Sequence, residues 1–194
     1  MELIQLGGRE LTPYVDTLAR LRITVFREYP YLYDGDLAYE AGYLQTYMRS
    51  AGAIAVLALD KGQPVGMSTG VPMADEELAF RQPFLERGID TAQLFYCGES
   101  VLLPAYRGHG VYRRFFEARE SHARAQGFKQ IGFCGVLRAA NDPRRPPDYQ
   151  PLDPVWRHFG YRPEPGLLAT FPWREIGATG ESEHSMQFWL KALE

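Results

Sequence analysis

Residues 100–116, Ser-Val-Leu-Leu-Pro-Ala-Tyr-Arg-Gly-His-Gly-Val-Tyr-Arg-Arg-Phe-Phe, decide the fold of this chain. An apolar strand runs into Pro104, an arginine and two alternating glycines follow, and an amphipathic helix begins directly after them. The first N–H groups of a helix lack partners within it, and the helix dipole adds positive potential at the same end. Such a junction suits an anion. Gly108 and Gly110 permit a tight loop and keep side chains away from a bulky phosphate. Arg107 adds a permanent, forked cation. The stretch reads as a diphosphate-binding turn.

Two common nucleotide loops are excluded. A P-loop needs a lysine after its last glycine, and none follows here. A dinucleotide-binding turn needs a third glycine where Arg113 stands. The stretch resembles instead the acyl-CoA motif of the GNAT superfamily of N-acetyltransferases, Arg/Gln-x-x-Gly-x-Gly/Ala. Arg107, Gly108, His109 and Gly110 match it, Val111 fits its aliphatic slot, and Pro104 precedes the arginine as is common there. Tyr112 departs from the last small position, which either narrows the phosphate pocket or sets a hydroxyl on it.

Working outward, the spacing predicts a helix over 110–126 with Val111, Phe115, Ala118 and Ala125 on one face, closed by Gly127. A short apolar strand follows at 130–137, and residues 139–154, rich in Pro, Asp and Arg, read as a loop. Residues 155–161, Val-Trp-Arg-His-Phe-Gly-Tyr, resemble the helix-to-strand junction that closes the superfamily's core. Before the motif, a long strand is expected over 93–103, a short helix over 76–88, and a hairpin of strands 53–59 and 65–71. A strand at 2–6, helical spacing over 11–28, and a helix over 37–50 open the chain; a hairpin of 167–176 and 184–190 closes it. The resemblance covers nearly the whole chain. It implies one α/β (α+β) domain over 1–194: a mixed, mostly antiparallel central sheet flanked by helices, with strands splayed at the acyl-CoA site.

Composition sets limits. The 194 residues, 45% hydrophobic and 23% charged, suit one globular unit. A net charge of −3 offers no overall positive field, so no nucleic acid partner is expected. No signal pattern or bilayer-length apolar run is present, so no membrane is expected and the location reads as cytoplasmic. Cys97 and Cys134 fall in core strands and read as reduced, buried thiols; a catalytic cysteine would need a histidine partner. His109, His122, His158 and His184 show no ligand spacing, so no metal is expected.

The resemblance further implies an acetyl-CoA-dependent N-acetyltransferase, moving acetyl to a primary amine of a small molecule or peptide by direct attack in a ternary complex. Backbone amides of Val101, Leu102 and Leu103 would hold the pantetheine arm and the thioester oxygen, and Asn141 would touch that arm further on. Glu99, a carboxylate in an apolar strand, is read either as the general base, its pKa raised by desolvation, or as a glutamate on a solvated strand face or paired with an arginine. The superfamily's usual tyrosine acid falls on Trp156, which has no useful proton to give; Tyr149 is the substitute candidate.

The resemblance also implies that acceptor selection lies in the helical cap at 26–47, an unusually aromatic stretch. Arg27, Tyr29, Tyr31 and Tyr33 are the candidate substrate residues, while Tyr39, Tyr43 and Tyr47, at i, i+4 spacing, are read mainly as packing. Phe171, Trp173, Phe188 and Trp189 in the closing hairpin mark either a homodimer surface or core. Two alternatives remain open: an acyl-CoA-binding sensor without turnover, and a same-fold enzyme with a different acyl donor.

Overall fold

A computed structural model describes residues 1–194. Its strands are β1 (Glu2–Leu6), β2 (Ile54–Asp60), β3 (Gln63–Pro72), β4 (Leu94–Tyr96), β5 (Ser100–Leu102), β6 (Gln130–Val136), β7 (Arg162–Arg174) and β8 (Glu181–Ala192). The helices are α1 (Val15–Phe26), α2 (Leu37–Arg49), α3 (Leu78–Glu86), α4 (Val111–Ala125) and α5 (Asp153–His158). The eight strands form one mixed sheet in the order β1-β2-β3-β4-β6-β8-β7, with β5 paired to β3 off that path. Only β4 and β6 run parallel.

The apolar run of β2 explains the layering. Successive side chains of a strand point to opposite faces, so Ala55, Leu57 and Leu59 enter one core and Ile54, Val56 and Ala58 the other. The first core is covered by Leu18 and Leu21 of α1, Leu44 and Tyr47 of α2, and Phe84 of α3. The second is covered by Val111, Phe115, Phe116 and Ala123 of α4. A sheet buried on both faces favours such continuous apolar strands.

The expected strand over 93–103 is interrupted. From Val71 to Ser68, β3 takes three steps; its partner takes four from Tyr96 to Ser100, so Cys97–Glu99 hold one extra residue. This bulge parts the sheet. After Cys97, whose N–H donates to the Gly132 carbonyl at 2.8 Å, β5 stays on β3 while β6 continues on β8 alone. A wedge opens between β5 and β6, the splay expected at the acyl-CoA site.

Other expectations are adjusted. Helical spacing over 11–28 resolves into a 3-10 turn, Gly8–Tyr14, followed by α1, because Pro13 has no N–H for a continuous helix. Ala125 is exposed on α4; Arg119 and Glu120 lie on the buried face instead. Strand β7 starts at Arg162 and leaves the ladder between Pro163 and Leu168, where Pro165 and Gly166 hid it from the pattern. Phe188 and Trp189 are core residues, Phe171 packs on Phe80 at 4.4 Å, and Trp173 stacks on His184 at 3.7 Å. The hairpin aromatics therefore pack within the chain, Phe188 and Trp189 buried and Phe171 and Trp173 half-buried. No helix is long and apolar enough to cross a membrane.

Candidate active site

The wedge holds a cleft of about 1170 Å³. Gly98, Glu99, Ser100 and Leu102 form one wall and Phe133–Leu137 the other. Gly108, Gly110, Tyr112 and Arg113 close one part of it; Glu28–Tyr31, Pro146, Asp148–Gln150 and Val155–Arg157 are also among the lining residues.

The glycine loop owes its form to the backbone. Gly108 and Gly110 adopt φ +79° and +76°, and a Cβ on either would meet nothing within 4 Å. Left-handed geometry, not crowding, demands glycine in this structure. Gly110 is the N-cap of α4 and supplies no side-chain cap, so the first amides of the helix lack a side-chain acceptor. Those donors, the dipole and the open space above the glycines fit a diphosphate. Arg107 is already engaged: its Nε donates to the Leu102 carbonyl at 3.0 Å and its Nη1 pairs with Glu28 at 2.9 Å.

On β5, the Leu103 N–H donates to the Val65 carbonyl at 3.0 Å. Amides of alternate residues in an antiparallel ladder point to opposite edges. The Val101 and Leu103 amides therefore turn toward β3, whereas those of Ser100 and Leu102 turn toward the opened side. Both Ser100 and Leu102 line the cleft. Of the expected backbone donors, only Leu102 is placed to reach a ligand, and Ser100 joins it.

Glu99 is buried and held from three elements. Arg22 of α1 forms an ion pair with Oε2, the Tyr43 hydroxyl of α2 donates to Oε2 at 3.0 Å, and the Thr69 hydroxyl of β3 donates to Oε1 at 2.8 Å. Arg22 also pairs with Glu40 and stacks over the Tyr43 ring at 4.0 Å. Burial alone would lower the Arg22 pKa, but Glu99, Tyr43 and Glu40 together raise it. The carboxylate of Glu99 is thus charge-paired within the apolar strand rather than isolated by it. Arg119 Nη1 donates to the Glu99 and Thr69 carbonyls at 3.1 and 3.4 Å, tying α4 to the bulge.

A row of oxygens leads away from Glu99. Tyr43 and Tyr47 hydroxyls lie 2.7 Å apart, and Tyr47 donates to Glu76 Oε1 at 3.1 Å. Burial pushes the Glu76 carboxyl up to about 7, although the Glu77 N–H and Tyr47 hydrogen bonds pull the other way. Burial likewise raises the Tyr43 and Tyr47 phenols. None of Tyr43, Tyr47 and Glu76 lines the cleft. Sequence reading assigned the two tyrosines to packing and passed over Arg22, Thr69, Glu76 and Arg119. The available signal was Arg22 itself, one helical turn after Leu18 on an otherwise apolar stripe.

The other candidates divide. Tyr149 lines the cleft and packs edge-on against Tyr29 at 4.7 Å. The carbonyl of Tyr31 accepts from Trp173 Nε1 at 3.1 Å and Arg138 Nη2 at 3.0 Å, which fixes the segment that carries Tyr29 and Tyr31. Arg27 pairs with Asp34 at 3.3 Å and Tyr33 bridges to Glu175; neither lines the cleft. His109 is exposed, Val111 is buried as the first residue of α4, and Asn141 sits on an exposed turn; these three are also absent from the lining. Trp156 Nε1 donates to the Tyr112 hydroxyl at 2.9 Å across the cleft lining. The thiols of Cys97 and Cys134 are buried and pushed up to about 11 and 12, so they are protonated and inert at neutral pH. No group of three or more His, Cys, Asp or Glu converges for a metal.

Residues 18–146 match the Acetyltransferase (GNAT) family. A ribosomal-protein-alanine N-acetyltransferase from Brucella melitensis is similar in structure, at 14% identity over 98% of this chain and 99% of that one, with TM-score 0.61. So is a GNAT superfamily phosphinothricin acetyltransferase from Sinorhizobium meliloti in complex with acetyl-CoA, at 17% identity, 100% and 89% coverage, and TM-score 0.57. A GCN5-related N-acetyltransferase from Kribbella flavida gives 18% identity, 98% coverage of both chains and TM-score 0.58. At such identities the likeness is one of fold. No curated protein matches the sequence.

Proposed function

The chain belongs to the acetyltransferase (GNAT) family, and from that premise we propose that it transfers acetyl from acetyl-CoA to a primary amine of a small molecule or peptide. One observation carries the reading: the wedge between β5 and β6 has an uncapped helix N-terminus at Gly110 and a buried carboxylate, Glu99, in the same cleft. A similar fold solved with acetyl-CoA supports this donor. The thioester arrives activated, so the protein has to hold it, orient the amine and take a proton.

The amides at the start of α4 hold the diphosphate, and Arg107 exchanges Glu28 for phosphate oxygen. Amides of Ser100 and Leu102 offer hydrogen bonds to the donor's arm and carbonyl. The amine nitrogen attacks the acetyl carbonyl, the C–N bond forms as the C–S bond breaks, and Glu99 takes the amine proton. Tyr149 and Tyr112 present hydroxyls to the cleft for the departing thiolate, which also leaves readily by itself because thiols are fairly acidic. Tyr29 and Tyr31 give the acceptor end aromatic walls.

Calorimetric titration with CoA and acetyl-CoA, followed by thiol release across an amine panel, tests the reading. Heat with both ligands and thiol release with some amine is the expected result; no heat from either overturns it. A second reading, an acyl-CoA sensor without turnover, draws on Trp156 standing where a phenol is usual. Tight binding with no release from any amine favours that reading.

A further inference from the structure

Four oxygens stand in a row from the cleft into the protein: Glu99 Oε2, Tyr43 Oη, Tyr47 Oη and Glu76 Oε1, at 3.0, 2.7 and 3.1 Å. Each contact needs one proton between its two oxygens. The phenols supply two. The third has to come from a carboxylic acid at one end, so the row is complete with one glutamate protonated and one proton short with both ionised. The complete row has two orders. With the acid at Glu76, every O–H points toward Glu99; with the acid at Glu99, every O–H points toward Glu76. Passing between them breaks three O–H bonds and makes three, moves one positive charge along the row, and leaves both phenols neutral throughout.

The surroundings favour the far end. Glu99 has Arg22 as an ion-pair partner. Facing Glu76 are Tyr43 and Tyr47 from α2, Glu77 beside it, Glu99, Tyr96 on β4 and Cys134 on β6, all neutral or anionic. Asp75, one residue earlier, accepts from Ser50 Oγ at 2.5 Å. Burial that lifts Glu76 to about 7 has the same sense. Glu76 itself is 3% exposed, but Asp75 and Glu77 on either side are exposed, so solvent lies close to that end. Gly98 makes room for the row, because a Cβ there would lie 1.8 Å from the Tyr47 hydroxyl and 2.8 Å from that of Tyr43.

We propose that Glu99, Tyr43, Tyr47 and Glu76 form a proton relay that carries the proton taken from the acceptor amine out of the cleft to Glu76. The inference rests on the acyl-transfer reading. With both glutamates ionised, Glu99 accepts the amine proton, Glu99 passes a proton to Tyr43, Tyr43 to Tyr47 and Tyr47 to Glu76. Glu99 returns to its anionic pair with Arg22, and Glu76 releases its proton to solvent. The relay accepts one proton per turnover. Below the Glu76 titration it is already full.

Infrared difference titration of the full chain reads the shared proton without any substrate. A carboxylic-acid C=O band that disappears as pH rises through about 7, is absent in Glu76→Gln and shifts in Tyr47→Phe is expected; no such band, or one that Glu76→Gln leaves unaltered, overturns the relay. In turnover, wild-type kcat should rise with pH through that range, while Glu76→Gln and Tyr47→Phe should lose the rise and fall about tenfold, with acetyl-CoA Kd unchanged. Wild-type turnover with unchanged profiles in both variants overturns the relay alone. Acetyl-CoA binding without turnover on any amine overturns the relay and the acyl-transfer reading together.

Discussion

In the proposed acyl transfer Glu99 is the residue on which the chemistry turns, and its environment separates that role from the fold's needs. Glu99→Gln keeps the size and the hydrogen bonds available to Thr69, and Arg22 retains Glu40, so the fold should persist. Turnover near neutral pH should fall about a hundredfold while acetyl-CoA Kd, set at the glycine loop, stays constant; unaltered turnover counts against the base. Glu76 makes a prediction about stability instead. Its carboxyl ordinarily titrates at 4.5 and is raised to about 7 in the fold. Between those values the folded chain holds a proton that the unfolded chain has released, so wild-type stability falls as pH rises through the window. The loss attributable to this side chain is about 3 kcal/mol at most. In denaturant titrations, Glu76→Gln should gain on wild type by up to that amount from acid to alkaline pH, and a constant difference would contradict the shift.

Among the elements, the bulge at Cys97–Glu99 and the loop at Gly108–Gly110 use glycine for different reasons, and substitution should separate them. Gly98→Ala drives a Cβ into two phenol hydroxyls, so it should cost about 2 kcal/mol in unfolding free energy and depress turnover. Gly108→Ala meets open space but a left-handed φ, so it should cost about 1 kcal/mol and act mainly on acetyl-CoA Kd. Equal effects of the two on cofactor binding would argue against this division. The same contrast explains what the sequence revealed. The glycine loop was legible because a strand, two glycines and a helix start are local features whose geometry demands particular residues. The bulge was not, since one extra residue leaves the alternation of an apolar strand almost unmarked; only Gly98 hinted at it. The partners of Glu99 were hidden more deeply, because Arg22 lies 77 positions away in the chain and Tyr43 lies 56. Arg27 and Tyr33 looked like acceptor residues by composition, but Arg27 pairs with Asp34, the Tyr33 backbone pairs with Glu175, and neither lines the cleft. Direction of a loop side chain is a tertiary property.

At the scale of the whole molecule, helices clamp both faces of a sheet that divides at one point, and Arg107–Glu28 is an ion pair spanning that division. The pair joins the glycine loop to the segment with Tyr29 and Tyr31, and both partners are over two-fifths exposed. Glu28→Gln should release Arg107 for phosphate and tighten acetyl-CoA Kd about two- to fivefold, as befits an exposed pair. Added salt should shrink the difference. Weaker binding in Glu28→Gln would show that Glu28 supports the loop instead of competing for it. The link also has a kinetic corollary. In the proposed reaction, phosphate that captures Arg107 would unfasten Glu28 and with it the aromatic wall awaiting the amine. Arrival should then be ordered, nucleotide thioester first and amine second, and initial-velocity plots should carry the signature of a compulsory sequence.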